Sequence, residues 1–299
     1  MKKTLLIANA NAGTADQENI EAAISLLRGS FEVRVKETAT PAEVDAALES
    51  RGQADVVIVA GGDGSLHAVI QSLYGAGELD NVVLGLIPLG TGNDFARGAG
   101  VSLDPAEAAQ GLCAGTESRV DLIVDGADGI IINAVHLGAS AEAGDAAQSW
   151  KSRLGRFGYV VGALIAGMSK QGLRERIEVD GAEVSHSRIA SVAINNGAFV
   201  GGGTPLGPDA DPASGFLHIH VSYAYGPLSR LGYAFQVRRG SHVERKDVVA
   251  MRGRSISVSG ESFTCSADGE IEENVSGRTW TVRPGAVRML LTASPAEAR

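Results

Sequence analysis

Cysteine is nearly absent. Cys113 and Cys265 are the only two in 299 residues, and they lie far apart without metal-ligand spacing. This excludes a disulfide framework and leads us to expect two buried thiols in a reducing cytoplasm. The six histidines show no metal spacing either, and His67 reads as a helix-surface or packing residue. There is no basic cluster longer than a few residues, and the net charge is −9, which disfavours nucleic acid as a partner. No stretch approaches the ~20 apolar residues of a membrane span. The longest candidate, Tyr159 to Met168, is short and contains two glycines. The start, MKKTLLIANANAG, loosely mimics a signal peptide. Its apolar run, Leu5 to Ala8, falls well short of the ~7–15 residues of a signal core, so it reads as a first strand. Internal repeats and low-complexity linkers are also missing.

What is present centres on Gly61-Gly62-Asp63-Gly64-Ser65. The run Asp55–Ala60 before it reads as a buried parallel strand. Ser65–Tyr74 after it sets Leu66, Val69, Ile70 and Leu73 on one helical face. Glycines in such a turn let a ligand approach the main chain, and amides at the helix start favour an anion. Asp63 among those amides calls for a divalent cation or a phosphoryl acceptor, unless it is simply a helix cap.

The remaining elements alternate. Thr4–Ala8, Phe31–Val35, Val82–Ile87 and Val120–Val124 read as strands, and Asp16–Arg28, Thr40–Leu48 and Pro105–Cys113 as helices. Thr40, Pro41 and Glu43 form a helix-start signature. Strands alternating with helices mean a parallel sheet covered on both faces. Ligand loops then sit at the carboxyl ends of strands, where Asn9–Gly13, Gly61–Ser65 and Gly90–Asp94 fall. After about Asp125 short strands follow: Ile130–Ala134, Arg188–Asn195, Phe216–Ser222, Ser255–Val258, Phe263–Ala267 and Thr279–Val282. They suggest an antiparallel sandwich or barrel, interrupted by helical patches near Trp150–Gln171 and Pro227–Arg239. At 299 residues two domains are expected: an α/β domain over 1–124, joined by 285–299, and a β-rich domain over 125–284.

These blocks resemble the diacylglycerol-kinase catalytic-domain family, which includes bacterial lipid kinases, diacylglycerol kinases and sphingosine kinases. GGDGS resembles the family's GGDGT, and PLGTGNDFAR (Pro88–Arg97) agrees throughout. NNGAFVGGGTPLGPDA (Asn195–Ala210), Asp268-Gly269-Glu270 and RPGAVRML (Arg283–Leu290) also match, so the likeness covers nearly the whole chain. Departures are NANAG in the first loop, His136 for a glycine, Ser140 for an aspartate, and Ser214 for the carboxylate of a structural magnesium site.

The resemblance implies an α/β nucleotide domain, a β-rich second domain and an active site between them. It implies ATP and Mg²⁺ as cofactors, with Gly61, Gly62, Gly64, Ser65, Leu66, His67, Gly90, Thr91, Gly92 and Asn93 around the phosphates. Asn9, Asn11 and Thr38 match nucleotide-side positions. Asp63 would bind the catalytic Mg²⁺, with Asp94 and Asp121 as supports; from the residues alone these two read equally as a helix cap and a strand end. Asp211, Ser214 and Phe216 occupy the structural-magnesium positions. Glu270 is the general base, although Asp268-Gly269 alone reads as a hairpin turn. The acceptor is a lipid alcohol, and a mixed basic and apolar stretch, Trp150–Met168, reads as an interfacial helix or an ordinary packed one. A cytoplasmic protein touching the inner face of the membrane, and a homodimer, are compatible with this. The alternative is a nucleotide-binding protein of the same fold that is a sensor or acts on a non-lipid alcohol.

Overall fold

The structure is a computed structural model that describes residues 1–10, 14–127, 129–138 and 172–292. Asn11, Ser140 and the patch Trp150–Gln171 lie outside the described residues. The chain divides into two compact units, Met1–Asp121 with Gly285–Arg299, and Leu122–Pro284.

In the first unit, β1 (Lys2–Asn9), β2 (Phe31–Thr38), β3 (Val56–Gly61) and β4 (Val83–Pro88) form a parallel sheet in the order β4-β3-β1-β2. The end of the chain's last strand, Arg288 and Met289, pairs in parallel with Val83 and Leu84 of β4. Every residue of β3 and β4 is buried. Continuous apolar strands of this kind are what a sheet covered on both faces requires. One face carries Leu6, Ala8, Ile58 and Ile87 against Ile20, Ala23 and Leu27 of α1 (Thr14–Leu27) and Ala109 and Leu112 of α5 (Pro105–Ala114). By the strand period of two, Leu5, Ile7, Val57 and Val59 face the other way. That face belongs to α2 (Pro41–Glu49) and α3 (Asp63–Gly75). Helix α2 starts as its sequence predicts: the Thr40 hydroxyl accepts the Glu43 N–H, and the Glu43 carboxylate accepts the Ala39 N–H at 2.6 Å. A short helix, α4 (Asp94–Gly98), follows β4. The expectation of two buried thiols fails at Cys113, which is exposed: α5 buries Ala108, Ala109 and Leu112, and Cys113 sits off that stripe. Cys265 is buried.

β5 (Thr116–Asp125) leads out of the first unit. The second unit holds β6 (Ile130–Ile131), β7 (Ala134–Gly138), β8 (Leu173–Val179), β9 (Ala182–Ile189), β10 (Ser191–Asn195), β11 (Leu217–Ser222), β12 (Val248–Gly253), β13 (Ser255–Ala267) and the start of β14 (Glu270–Leu291). Its pairings are antiparallel, in the order β12-β11-β10-β7-β13-β14. Strand β13 changes partner midway: Ile256–Gly260 pairs with β8 and Thr264–Ala267 with β7. Gly260 permits the change, with φ of 149° and a position where a Cβ would lie 2.3 Å from the Arg174 carbonyl oxygen. The bent strand lets two layers share one core, which includes Trp280, Phe263, Ile177, Val192, Leu217 and Ile219. Helix α6 (Pro227–Val237) seats Tyr233 and Val237 in a smaller cluster with Ala190, Ala224 and Val248.

Candidate active site

Three strand ends of the parallel sheet and the turn after β3 converge on one cavity of about 420 Å³ in the first unit. Its lining includes Asn9 from β1, Thr38 from β2, Gly62, Gly64 and Ser65 from the turn after β3, and Gly90 after β4. Six residues singled out in the sequence are thus brought together. Ile7 and Val44 add an apolar wall, and Thr40 and Pro41 bring the start of α2 to the rim. Sequence reasoning missed this helix start as part of the site. The available signal was its place directly after Thr38, at the carboxyl end of a strand in the same sheet.

The two glycine turns touch backbone to backbone. A Cβ on Gly90 would lie 2.5 Å from the Gly62 Cα, and one on Gly62 would lie 2.9 Å from the Gly90 Cα. Gly61 packs on Ser65, where a Cβ would meet the hydroxyl at 2.5 Å. Gly64 differs, since a Cβ there would meet only open space and its φ is not positive. Neither packing nor backbone conformation asks for glycine at 64, which leaves room for close approach by a ligand. Helix α3 starts at this point with no side-chain cap, so its first amides are available to an anion.

Asp63 joins the turns. Its carboxylate accepts the N–H groups of Asp94 at 3.0 Å and Phe95 at 2.9 Å, the first two residues of α4. Its charge therefore faces the positive end of a second helix, and this stabilises it without a cation. Asn93, in the left-handed region with φ of 53°, donates to the Gly90 carbonyl at 2.7 Å, while its buried Oδ1 has no hydrogen-bond partner. Thr91 and Gly92 continue the same turn, Leu66 is buried in the core, and His67 is half-buried on α3. Asp94 is buried, and Asp121 is a structural tie whose Oδ1 accepts the Gly285 N–H at 2.7 Å.

In the second unit, Asp268-Gly269 is a two-residue hairpin turn with φ of 46° and 95°, joining β13 to β14. The Asp268 carboxylate accepts the N–H groups of Ile132, Asn133 and Ala134 at 2.7 to 3.2 Å. The turn is thereby pinned to the segment between β6 and β7, and it presents Glu270 exposed at the start of β14. Near this segment Asn133 and Asn195 each bury a carboxamide oxygen without a partner. His136, on β7, is half-buried with its Nε2 enclosed, and desolvation pushes its imidazole down to about 4.

The structural-magnesium positions close on themselves. Asp211 accepts the Ala213 N–H at 2.9 Å, and Ser214 Oγ reaches the Phe216 carbonyl at 3.2 Å and His218 Nε2 at 3.3 Å. The carboxylate that meets the buried histidines is Asp209, 2.9 Å from His220 Nε2 and 3.3 Å from His218 Nδ1. The hydrogen bond from His220, aided by His218, holds Asp209 far below the usual carboxylate range. Among the described residues no group of three or more His, Cys, Asp or Glu side chains could hold a metal ion. Ser214 brings a hydroxyl rather than a carboxylate to these positions, and Asp211 is the one acid among Asp211, Ser214 and Phe216. The cradle beside Asp63 fits a nucleotide-borne metal: its carboxylate keeps free lone pairs and Asn93 Oδ1 is unpartnered, while phosphates would supply the remaining ligands.

The diacylglycerol kinase catalytic domain model matches residues 3–124, and the YegS C-terminal NAD kinase beta sandwich-like domain model matches residues 133–291. The chain belongs to the diacylglycerol kinase catalytic-domain family. It is 30% identical over 231 residues to a diacylglycerol kinase of Mycobacterium tuberculosis (strain CDC 1551 / Oshkosh), covering 75% of this chain and 73% of that one. With the diacylglycerol kinase of Bacillus subtilis (strain 168) it shares 27% over 282 residues, 90% of each chain. The crystal structure of a diacylglycerol kinase from Bacillus anthracis str. Sterne has the same fold, with a TM-score of 0.76, 23% identity and coverage of 99% and 98%. Both family models fall on the two kinds of sheet described above, one parallel and one antiparallel.

Proposed function

We propose that this member of the family transfers the γ-phosphate of ATP, with Mg²⁺, to the hydroxyl of diacylglycerol or a related lipid alcohol. That it is a lipid kinase follows from its family. The observation that supports the finer reading is the cavity of the first unit, where two glycine turns held in contact by Asp63 border the start of α3, which has no side-chain cap.

Phosphoryl transfer demands positioning and charge stabilisation more than covalent chemistry. The amides at the start of α3 and the Ser65 hydroxyl hold the phosphates. Asn9 and Thr38 orient the nucleoside, and Ile7 and Val44 offer the base an apolar wall. Asp63 would hold Mg²⁺, which would supply charge neutralisation to the nucleotide's phosphates. Glu270 accepts the proton of the lipid hydroxyl as its oxygen attacks the γ-phosphorus and the bond to the β-phosphate oxygen breaks, releasing ADP. ATP as donor implies work in the cytoplasm, at the inner face of the membrane that holds the acceptor. Among the described residues no helix is long and apolar enough to cross that membrane.

The test is a γ-labelled ATP assay with Mg²⁺ against diacylglycerol, a sphingoid base and glycerol. Label in a lipid product is expected. Label in glycerol alone, or nucleotide binding with no transfer, would overturn the reading in favour of a non-lipid kinase or a sensor.

A further inference from the structure

Helix α6 carries hydrophobic residues on both of its faces. Tyr233, Ala234 and Val237 are buried and anchor it to the second unit. On the opposite face Leu228, Leu231 and Phe235 are 85%, 62% and 57% exposed. Their spacing of three and four residues puts them in one stripe. Isolated exposed apolar residues need no explanation, but three large ones aligned on a single helix mark a contact surface.

The charge around the stripe says what kind. The whole sequence has 35 acidic and 26 basic residues, yet Pro227–Gly240 contains three arginines and no acid. Arg238 and Arg239 are exposed at the end of the helix. The Arg239 guanidinium lies 4.2 Å from the centre of the Phe235 ring, which holds the cation beside the apolar stripe. An exposed apolar stripe flanked by arginines, on a helix whose other face is fixed to a folded unit, complements the boundary of an anionic bilayer: acyl chains for Leu228, Leu231 and Phe235, phosphate headgroups for the arginines.

We propose that α6 docks the second unit on the surface of an anionic lipid bilayer, and so brings the enzyme to an acceptor that never leaves the membrane. The need for such a surface rests on the lipid-alcohol reading above. The stripe and its charge do not. Net negative charge repels the rest of the chain from the same surface, so attachment is local, reversible and sensitive to salt.

The experiment is vesicle flotation without ATP, using phosphatidylcholine vesicles with and without 30 mol% phosphatidylglycerol (roughly the anionic content at which surface potential attracts basic segments). The full chain is compared with Leu231→Glu/Phe235→Glu and with Arg238→Glu/Arg239→Glu, each checked by its melting curve. Wild type should float with the anionic vesicles only and detach as salt rises. The apolar variant should lose at least roughly tenfold in partition, and the arginine variant roughly fivefold or more per arginine lost. Both should keep wild-type turnover on a short-chain diacylglycerol in detergent micelles. Absence of wild-type binding, or equal binding by both variants, would overturn the proposal. So would a wild-type dimer that the apolar variant splits with vesicle binding intact, which would assign the stripe to a second copy. Binding without any kinase turnover would leave the docking surface standing and sink the lipid-kinase reading instead.

Discussion

Asp63 shows how one residue can satisfy two demands. Its place among helix-start amides reads in sequence as a need for a cation, yet the fold meets its charge with the amides of Asp94 and Phe95. Both roles predict a cost, and substitutions separate them. Asp63→Ala removes a cap and should lower stability by about 1–2 kcal/mol. Asp63→Asn keeps an accepting oxygen and should lose less. If Asp63 also holds Mg²⁺, transfer should be lost in both variants; an Asn variant within a few-fold of wild type would leave Asp63 as a structural clamp only. A second residue was invisible in sequence. Glu175 on β8 is buried, and neither carboxylate oxygen has a partner. Burial, with the Glu261 charge beside it, pushes its carboxyl up to about 7. The folded state therefore retains a proton that the unfolded chain releases above its ordinary value of 4.5. Stability from this group is complete below that value and is lost as pH rises through about 7. Glu175→Gln should accordingly raise the melting temperature at pH 8 and leave it nearly unchanged at pH 4.5. The same gain at both values would mean that the carboxyl's charge is not the cause.

At the scale of elements, the parallel sheet was legible because β1, β3 and β4 carry short apolar runs and the edge strand β2 alternates over Phe31–Val35. The second unit was less legible for specific reasons. Strand β8 was missed because the inward side of LRERIEV includes Glu175 alongside Ile177 and Val179, which breaks the apolar alternation. Ile130–Ala134 reads as one strand but divides, because the amides of Ile132, Asn133 and Ala134 turn to the Asp268 carboxylate. Arg188–Asn195 divides at Ala190, where the chain leaves β8 and joins β7 and β11. Conversely, Ser255–Val258 and Phe263–Ala267 are one strand, since the apparent turn at Gly260 is a register shift where β13 changes partner. At the site, the glycine turns were recognisable as a pair, but their mutual contact was not. That contact predicts a large effect from a small change. Gly90→Ala puts a methyl group into the Gly62 backbone and must spread the turns, so ATP-dependent turnover should fall on the order of 10²-fold, as for misplacement of about an ångström. The melting temperature should move only slightly, because the turns lie outside the core. Unchanged kinetics would show that the two turns tolerate separation.

For the whole molecule, ligand linkage tests whether metal and nucleotide act together. Ser214 brings no carboxylate to sit beside Asp211, and among the described residues no group of three or more His, Cys, Asp or Glu side chains could hold a metal ion. Millimolar Mg²⁺ alone should therefore leave the melting temperature where it is. Mg²⁺ with ATP at 100 times its dissociation constant should stabilise by about 2.7 kcal/mol, by mass action. A large shift with Mg²⁺ alone, abolished in Asp211→Ala, would reveal a structural site after all. The most direct measurement of the central claim is transfer of labelled γ-phosphate from ATP to diacylglycerol, at saturating concentrations of both, by wild type and by Glu270→Gln. The fold holds Glu270 exposed on a turn that Asp268 pins in place, so the substitution should leave Mg-ATP affinity unchanged. Wild type should yield labelled lipid, and the variant should yield it roughly 10²–10⁴ times more slowly, the usual contribution of a positioned base. No labelled lipid from wild type, or equal rates from the two proteins, would contradict the account.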